Sequence, residues 1–336
     1  MQLLILGGTA WLGSHLVKAG LKRGHEVTCL ARGESGDVLG GATFVRANRD
    51  LPGAYDAAAA NRWDSVIGVS RQPGQVLSAV SALNQSSKTY VFVSSTNVYA
   101  NHAAPGEDEH AEVLPALESD VMASMDEYGR AKVACERFVQ ETVGKDRALI
   151  VRVGLIGGPG DEFDRTGYWP LRFALAKQRN RDVLVPDIPE QATQVIDVRD
   201  LADWLVDCAC RGVTGVLNAT GATTRFDEHV RKARSVVAHE GPVKLASPEW
   251  LSAHGVAPWM GKRSLPLWLP VSDHAGFSAR ICTKAIEAGL LRRDLEETLR
   301  DTLDWELARQ SGKPRRAGLS DVEEDELLVA LAASAA

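Results

Sequence analysis

The chain has 336 residues, 45% of them hydrophobic and 24% charged, with a formal net charge of −6. That length and apolar content describe a soluble, globular protein with a large core, and the mild acidity argues against nucleic acid as a main partner. No apolar run reaches the length of a membrane span and the first one is too short for a signal peptide, so a cytoplasmic location is expected.

The first element is an apolar run, Leu3-Leu4-Ile5-Leu6, which reads as a buried strand. It breaks into Gly7-Gly8-Thr9-Ala10-Trp11-Leu12-Gly13 and then into an amphipathic segment from Ser14. A strand, a glycine turn and a helix start together make a place to hold a pyrophosphate: one glycine allows the tight turn, helix amides face the anion, and Gly13 lets helix and strand approach. The spacing is Gly7-x-x-Ala10-x-x-Gly13, and the candidate contacts run through Gly7, Thr9, Ala10, Trp11, Leu12 and Gly13. Strand-like runs follow at 26–30, 43–45, 65–69, 90–94 and 149–153, with helical stretches at 74–83 and 123–143 among the segments between them. Such alternation predicts an α/β fold with a doubly wound parallel sheet, whose ligands bind outside the carboxyl ends of the strands.

The second strand ends in Ala31-Arg32-Gly33. Where an NAD enzyme usually places a carboxylate for the ribose 2′-hydroxyl, this chain has alanine followed by a guanidinium suited to a 2′-phosphate. Arg46 and Arg49, after the third strand, add charge to the same region. The expected cofactor is therefore NADP, with NAD the alternative. The fifth strand ends in Ser94-Ser95-Thr96-Asn97, crowding hydroxyls where a substrate carbonyl would be met. Farther on, Tyr128 and Lys132 stand four apart in a helical segment, on one face. A phenol is a poor acid or base near neutrality unless the phenolate is favoured, and an ammonium one turn away favours it.

Gly7-x-x-Ala10-x-x-Gly13, Ser95 with Tyr99, Tyr128-x-x-x-Lys132 and Val195-Ile196-Asp197-Val198-Arg199-Asp200 together resemble the extended short-chain dehydrogenase/reductase family, the NAD-dependent epimerase/dehydratase group, over about residues 1–310. The resemblance implies a Rossmann sheet with a smaller, irregular C-terminal substrate lobe, Ser95 orienting the substrate oxygen, Tyr128 as general acid or base, and Lys132 on the nicotinamide ribose. It also implies cofactor contacts at Ser94 and Leu155 and substrate contacts at Thr96 and Asn97. Two departures narrow the reaction. Dehydratases of the group carry Asp-Glu after the hydroxyl residue, where this chain has Thr96-Asn97, and nucleotide-sugar enzymes place asparagine where this chain has Leu155. The expected reaction is thus NADP(H)-dependent reduction of a carbonyl or imine on a small molecule. A sugar-nucleotide epimerase with tightly bound NAD and a non-catalytic NADP-binding sensor are the alternatives.

The expected domains are residues 1–160, with 192–210 returning to them, a substrate lobe of 161–191 and 211–310, and a linker and helix at 311–336. Tyr168, Trp169 and Arg172 are expected near substrate, with a core role for the rings as the alternative. Asp197 and Asp200 read as capping and bracing acids. Leucines four apart between Asp294 and Leu303 read as a packing helix, and Ser320 with Glu323 as a capping box ahead of an acidic helix. That helix is read as a solvated face, or as docking on this subunit or a neighbour. The cysteines, Cys29, Cys135, Cys208, Cys210 and Cys282, are odd in number without zinc-type spacing; with no paired-ligand histidines either, no metal site is expected. A homodimer is the expected assembly.

Overall fold

In β1 (Gln2–Leu6) every residue from Leu3 onward is buried, and its side chains divide by the strand period. Leu3 and Ile5 join a core beneath one sheet face, Leu4 and Leu6 a second core beneath the other. A strand apolar on both faces belongs in the middle of a sheet covered by helices, and the computed structural model, which describes residues 1–309 and 315–334, places it there. After β1 come α1 (Trp11–Lys22), β2 (Glu26–Ala31), β3 (Thr43–Arg46), α2 (Asp56–Ala59), β4 (Trp63–Val69), α3 (Pro73–Leu83), β5 (Ser87–Ser95), α4 (Tyr128–Val143) and β6 (Ala148–Val153). The second half contains β7 (Leu155–Gly157), α5 (Tyr168–Arg179), β8 (Val183–Pro186), β9 (Ala192–Asp197), α6 (Val198–Arg211), β10 (Gly215–Ala219), β11 (Thr223–Arg225), α7 (Phe226–Val236) and β12 (Val243–Ala246). It closes with α8 (Pro248–Ala253), α9 (Val271–His274), α10 (Thr283–Glu287), α11 (Leu295–Ala308) and α12 (Asp321–Ser334).

The main sheet has the order β3-β2-β1-β4-β5-β6-β10, every pair parallel. The chain leaves β1 toward one edge and returns to β4 on its other side, so a crevice opens where β1 and β4 end. Helices α1 and α6 cover one face, through Leu16, Val17, Leu201 and Leu205, and α3 and α4 cover the other, through Val76, Val80 and Val139.

The expected sheet is present, with one addition. Beyond the expected return at 192–210, the chain returns again at β10, inside the stretch assigned to the substrate lobe, because α6 is a crossover that delivers the chain to the sheet edge. Regular helix also starts at Tyr128 rather than Ala123, after a short 3₁₀ turn over Met125–Glu127. No helix among the described residues is long and apolar enough to cross a membrane.

The lobe beyond β7 has its own core, with Trp169, Phe173, Phe226 and Trp268 at its centre. The capping box forms: Ser320 N donates to Glu323 Oε2 at 2.7 Å and Glu323 N to Ser320 Oγ at 3.3 Å. The acids of α12 meet arginines of this same chain, with Arg172 on Asp321 and Glu324, Arg181 on Asp325 and Arg263 on Glu326. The acidic helix is therefore docked on its own lobe. Residues 311–314 of the expected linker lie outside the described residues. Asp197 caps α6, accepting from Arg199 N, and Asp200 braces Arg293 at 2.7 Å. Burial alone would raise the Asp197 carboxyl, but hydrogen bonds from Arg199 hold it below the usual range. The face of α11 that carries Leu299 and Leu303 is buried.

Candidate active site

At the end of β1, Gly7 adopts φ +94°, and a Cβ at Gly13 would fall 2.1 Å from the Gly7 carbonyl oxygen. Both positions therefore require glycine. Ala10, the extended N-cap of α1, offers no side-chain cap, and the first turn holds no acid. The first amides of a twelve-residue helix thus face the turn with no side-chain cap and with the positive end of its dipole behind them. They border a cleft of about 680 Å³, lined by Gly7, Thr9, Ala10, Arg32, Arg49 and Ser70 among others. This is the size of a cofactor site, and an anion-binding turn at its floor fits a dinucleotide pyrophosphate.

The side chains of Trp11 and Leu12 serve otherwise than expected. Leu12 packs into the core, and Trp11 turns to donate from Nε1 to Pro159 O at 2.8 Å, tying α1 to the loop after β7. Arg32 borders the cleft half-exposed, its Nε 3.3 Å from Glu34 Oε2. Arg49 donates from both terminal nitrogens to Val69 O at 3.1 Å, so its charge is fixed where β4 ends. Arg46 is exposed and donates to Arg32 O, holding the turn that carries Arg32.

Successive strand residues point to opposite faces, and this separates two neighbouring serines. Ser94 turns with Phe92 toward α4 and donates to Glu136, itself buried against Arg152 with Nη2 at 2.8 Å. The expected cofactor contact by the Ser94 side chain is therefore not made; its hydroxyl belongs to a buried ion-pair network. Ser95, at the strand's end, accepts from Asn97 N at 3.2 Å and donates to Asn97 Oδ1 at 3.0 Å. Thr96 is buried in the turn.

Tyr128 is the first residue of α4, and the next residue explains why it sits beside Ser95. A Cβ at Gly129 would lie 2.2 Å from the Asn97 carbonyl oxygen, so the helix start rests directly on the Ser95–Asn97 turn. One turn along, Lys132 is buried and donates from Nζ to Ser70 O at 2.6 Å and Val93 O at 2.7 Å, with its nitrogen 5.9 Å from the Tyr128 ring centroid. It thereby joins the ends of β4 and β5, and Ser70 also lines the cleft. Two of the ammonium's three donors are spent on backbone, leaving one. The structure thus packs the start of α4, which carries Tyr128, on the turn that follows Ser95, and ties Lys132 to Ser70 in the cleft wall.

Four expected contacts are not at the cleft. Leu155 has its side chain in the core of the C-terminal lobe. Tyr168 and Trp169 lie edge to face at 5.0 Å inside that lobe, with Trp169 Nε1 donating to Pro266 O. Arg172 is buried on Asp321, at 2.7 Å, and Glu324, at 3.1 Å. The face of α5 that carries all three is turned toward the lobe's interior and α12.

One residue of the site, Gly129, had no counterpart in the sequence reading. In the loop between β7 and α5, buried Asp161 accepts from Phe163 N, Arg165 N, Thr166 N and Thr166 Oγ1. The Arg165 guanidinium lies 4.9 Å from the Phe163 ring and 5.2 Å from that of Trp259. Burial lowers its pKa, against the opposing influence of Asp161 and of Tyr128.

Fold and glycine turn define the class: a doubly wound α/β fold with a glycine turn of the dinucleotide-binding kind. Within it, residues 70–214, which contain Ser95, Tyr128 and Lys132, match the model of the NAD dependent epimerase/dehydratase family. No curated protein matches the chain. Solved structures share its fold along most of its length. The UDP-Glc/GlcNAc 4-epimerase of Campylobacter jejuni superposes with TM-score 0.68 at 15% identity, covering 92% of this chain and 99% of that one. The UDP-N-acetylglucosamine 4-epimerase of Bacillus cereus gives 0.65 at 14%, covering 93% and 99%. The Bordetella bronchiseptica enzyme WbmG, solved with NAD and UDP, gives 0.62 at 17%, covering 91% and 94%.

Proposed function

We propose that the protein is a nicotinamide-dependent enzyme of the epimerase type, which inverts a carbinol centre through a transient carbonyl. The observation that carries this reading is Lys132 beside Tyr128, bonded to Ser70 of the cleft wall and to Val93 of β5, so that a proton-transfer group and a cation adjoin the cleft. A bound nicotinamide would supply the hydride chemistry. The chain supplies the rest. Ser95 presents a hydroxyl to the substrate oxygen, Tyr128 takes its proton on oxidation and returns it on reduction, and the Lys132 charge favours the phenolate between the two. Thr96-Asn97 in place of an acid pair leaves elimination of water without its own acid and base. The names of the structural neighbours support epimerisation over net reduction.

An epimerase retains its dinucleotide through turnover. Denaturing the purified protein is therefore expected to release about one NAD(P) per chain, and turnover to leave the nicotinamide absorbance unchanged. Protein that purifies empty and consumes NADPH stoichiometrically with a carbonyl compound would replace this reading with the second one, net reduction.

The second reading is favoured by Arg32, which faces the cleft where β2 ends and carries no carboxylate in the ribose position. Charge-assisted hydrogen bonds are worth ~1.5–3 kcal/mol, so Arg32→Ala is expected to weaken NADPH by ~10–100-fold and NADH by much less. Equal losses for the two dinucleotides, measured by fluorescence titration, would remove the 2′-phosphate contact.

A further inference from the structure

Tyr128, Lys132 and Glu136 follow at intervals of four along α4, so one face of the helix carries all three. Lys132 donates to Val93 O and Ser94 donates to Glu136, which bonds two successive turns of the helix to two successive residues of β5, directly ahead of Ser95. Glu136 is buried and accepts from Arg152 of β6, with Nε at 3.1 Å and Nη2 at 2.8 Å. The same guanidinium lies 5.0 Å from the ring centroid of Tyr99, the residue that ends the turn begun at Ser95, and the Tyr99 hydroxyl donates to Asn218 Oδ1 at 2.6 Å. One ion pair therefore grips the Ser95 turn on both sides, Ser94 before it through the carboxylate and Tyr99 after it through the guanidinium. Burying such a pair gains little over apolar residues of the same volume, since desolvation offsets the attraction. What it adds is direction, because its hydrogen bonds fit one register of helix on strand.

We infer that Glu136 is a positioning residue: joined to Ser94 and Arg152, it sets the register of α4 against β5 and with it the place of Tyr128 relative to the Ser95 turn. This inference rests on the reading of Ser95, Tyr128 and Lys132 as the reacting centre. Glu136 stands about two helical turns from Tyr128 and acts through its neighbours. It gives the Ser94 hydroxyl a part in turnover without a contact to the dinucleotide.

The test uses the full chain saturated with its preferred dinucleotide. Ser94→Ala cuts the bond to the strand and leaves Glu136 paired with Arg152, so the Tm is expected to stay within about 3 °C of the wild type. Amide hydrogen exchange, which needs no substrate, is expected to quicken several-fold in the Ser95 turn and at the start of α4. With UDP-N-acetylglucosamine as the probe substrate, kcat is expected to fall by about 10-fold, with KM and dinucleotide affinity within about 2-fold. Glu136→Gln, which leaves Arg152 buried without its counter-charge, is expected to lose turnover and to melt well below the wild type. Val139→Ala is the control: it opens a cavity in the core on the same helix and is expected to lower the Tm while exchange of the Ser95 turn and turnover stay as in the wild type. Wild-type exchange or wild-type turnover in Ser94→Ala overturns the inference, and so do losses in Val139→Ala that match those of Ser94→Ala. Failure of the wild type to bind either dinucleotide, or undiminished turnover in Tyr128→Phe, would instead overturn the proposed function.

Discussion

Tyr128→Phe is expected to lower turnover by at least ~100-fold while dinucleotide affinity stays within a few-fold. The separation follows from where the two jobs are done. The glycine turn, the first amides of α1 and the arginines at the strand ends border the proposed cofactor cleft, and Tyr128 is absent from that set. Phenylalanine keeps the ring on Gly129's helix start and beside the Lys132 ammonium, so the change removes one oxygen and its proton. Fluorescence titration with NAD(P)H measures the first quantity and turnover of an accepted substrate the second. Undiminished turnover would take the proton-transfer role away from Tyr128. Loss of dinucleotide binding would make the residue structural.

What was legible in the sequence was local. Gly7, Gly13 and the strand before them announce themselves by spacing within a dozen residues, and Tyr128 and Lys132 by one helical turn. The same is true of the Ser320–Glu323 box and of the cap at Asp197. What was misread depends on facing. Ser94 and Ser95 are adjacent, yet the strand's pleat sends one to Glu136 and the other to the Asn97 turn. Arg172 looked available because its acids, Asp321 and Glu324, lie some 150 residues away in a helix whose charge run suggested open solvent. Trp169 is a core ring for the same reason. The role of Gly129 could not be seen at all, because the carbonyl its helix start rests on, that of Asn97, is distant in sequence.

The second large effect tests placement instead of chemistry. Gly129→Ala is expected to cut turnover by ~100-fold, nearly as much as removing the phenol, although it touches no reacting group. Helix propensity alone predicts the reverse of harm, since alanine in place of glycine gains ~1 kcal/mol in a helix. Sterics outweigh it here. The new Cβ would lie 2.2 Å from the Asn97 carbonyl oxygen and 2.7 Å from Leu114 Cδ1. The leucine can rotate, but the carbonyl is backbone of the turn that carries Ser95, and overpacking of this kind costs ~1–3 kcal/mol. Relief requires α4 to withdraw from that turn, and a displacement of about 1 Å between reacting groups is enough for a ~100-fold loss. Neither Gly129 nor the Asn97 turn lines the proposed dinucleotide cleft, so cofactor affinity is expected to fall far less than turnover. A variant that melts higher than the wild type and turns over at the same rate would mean that the helix start has room to spare. Tyr128 and Ser95 would then owe their proximity to something other than the missing side chain between them.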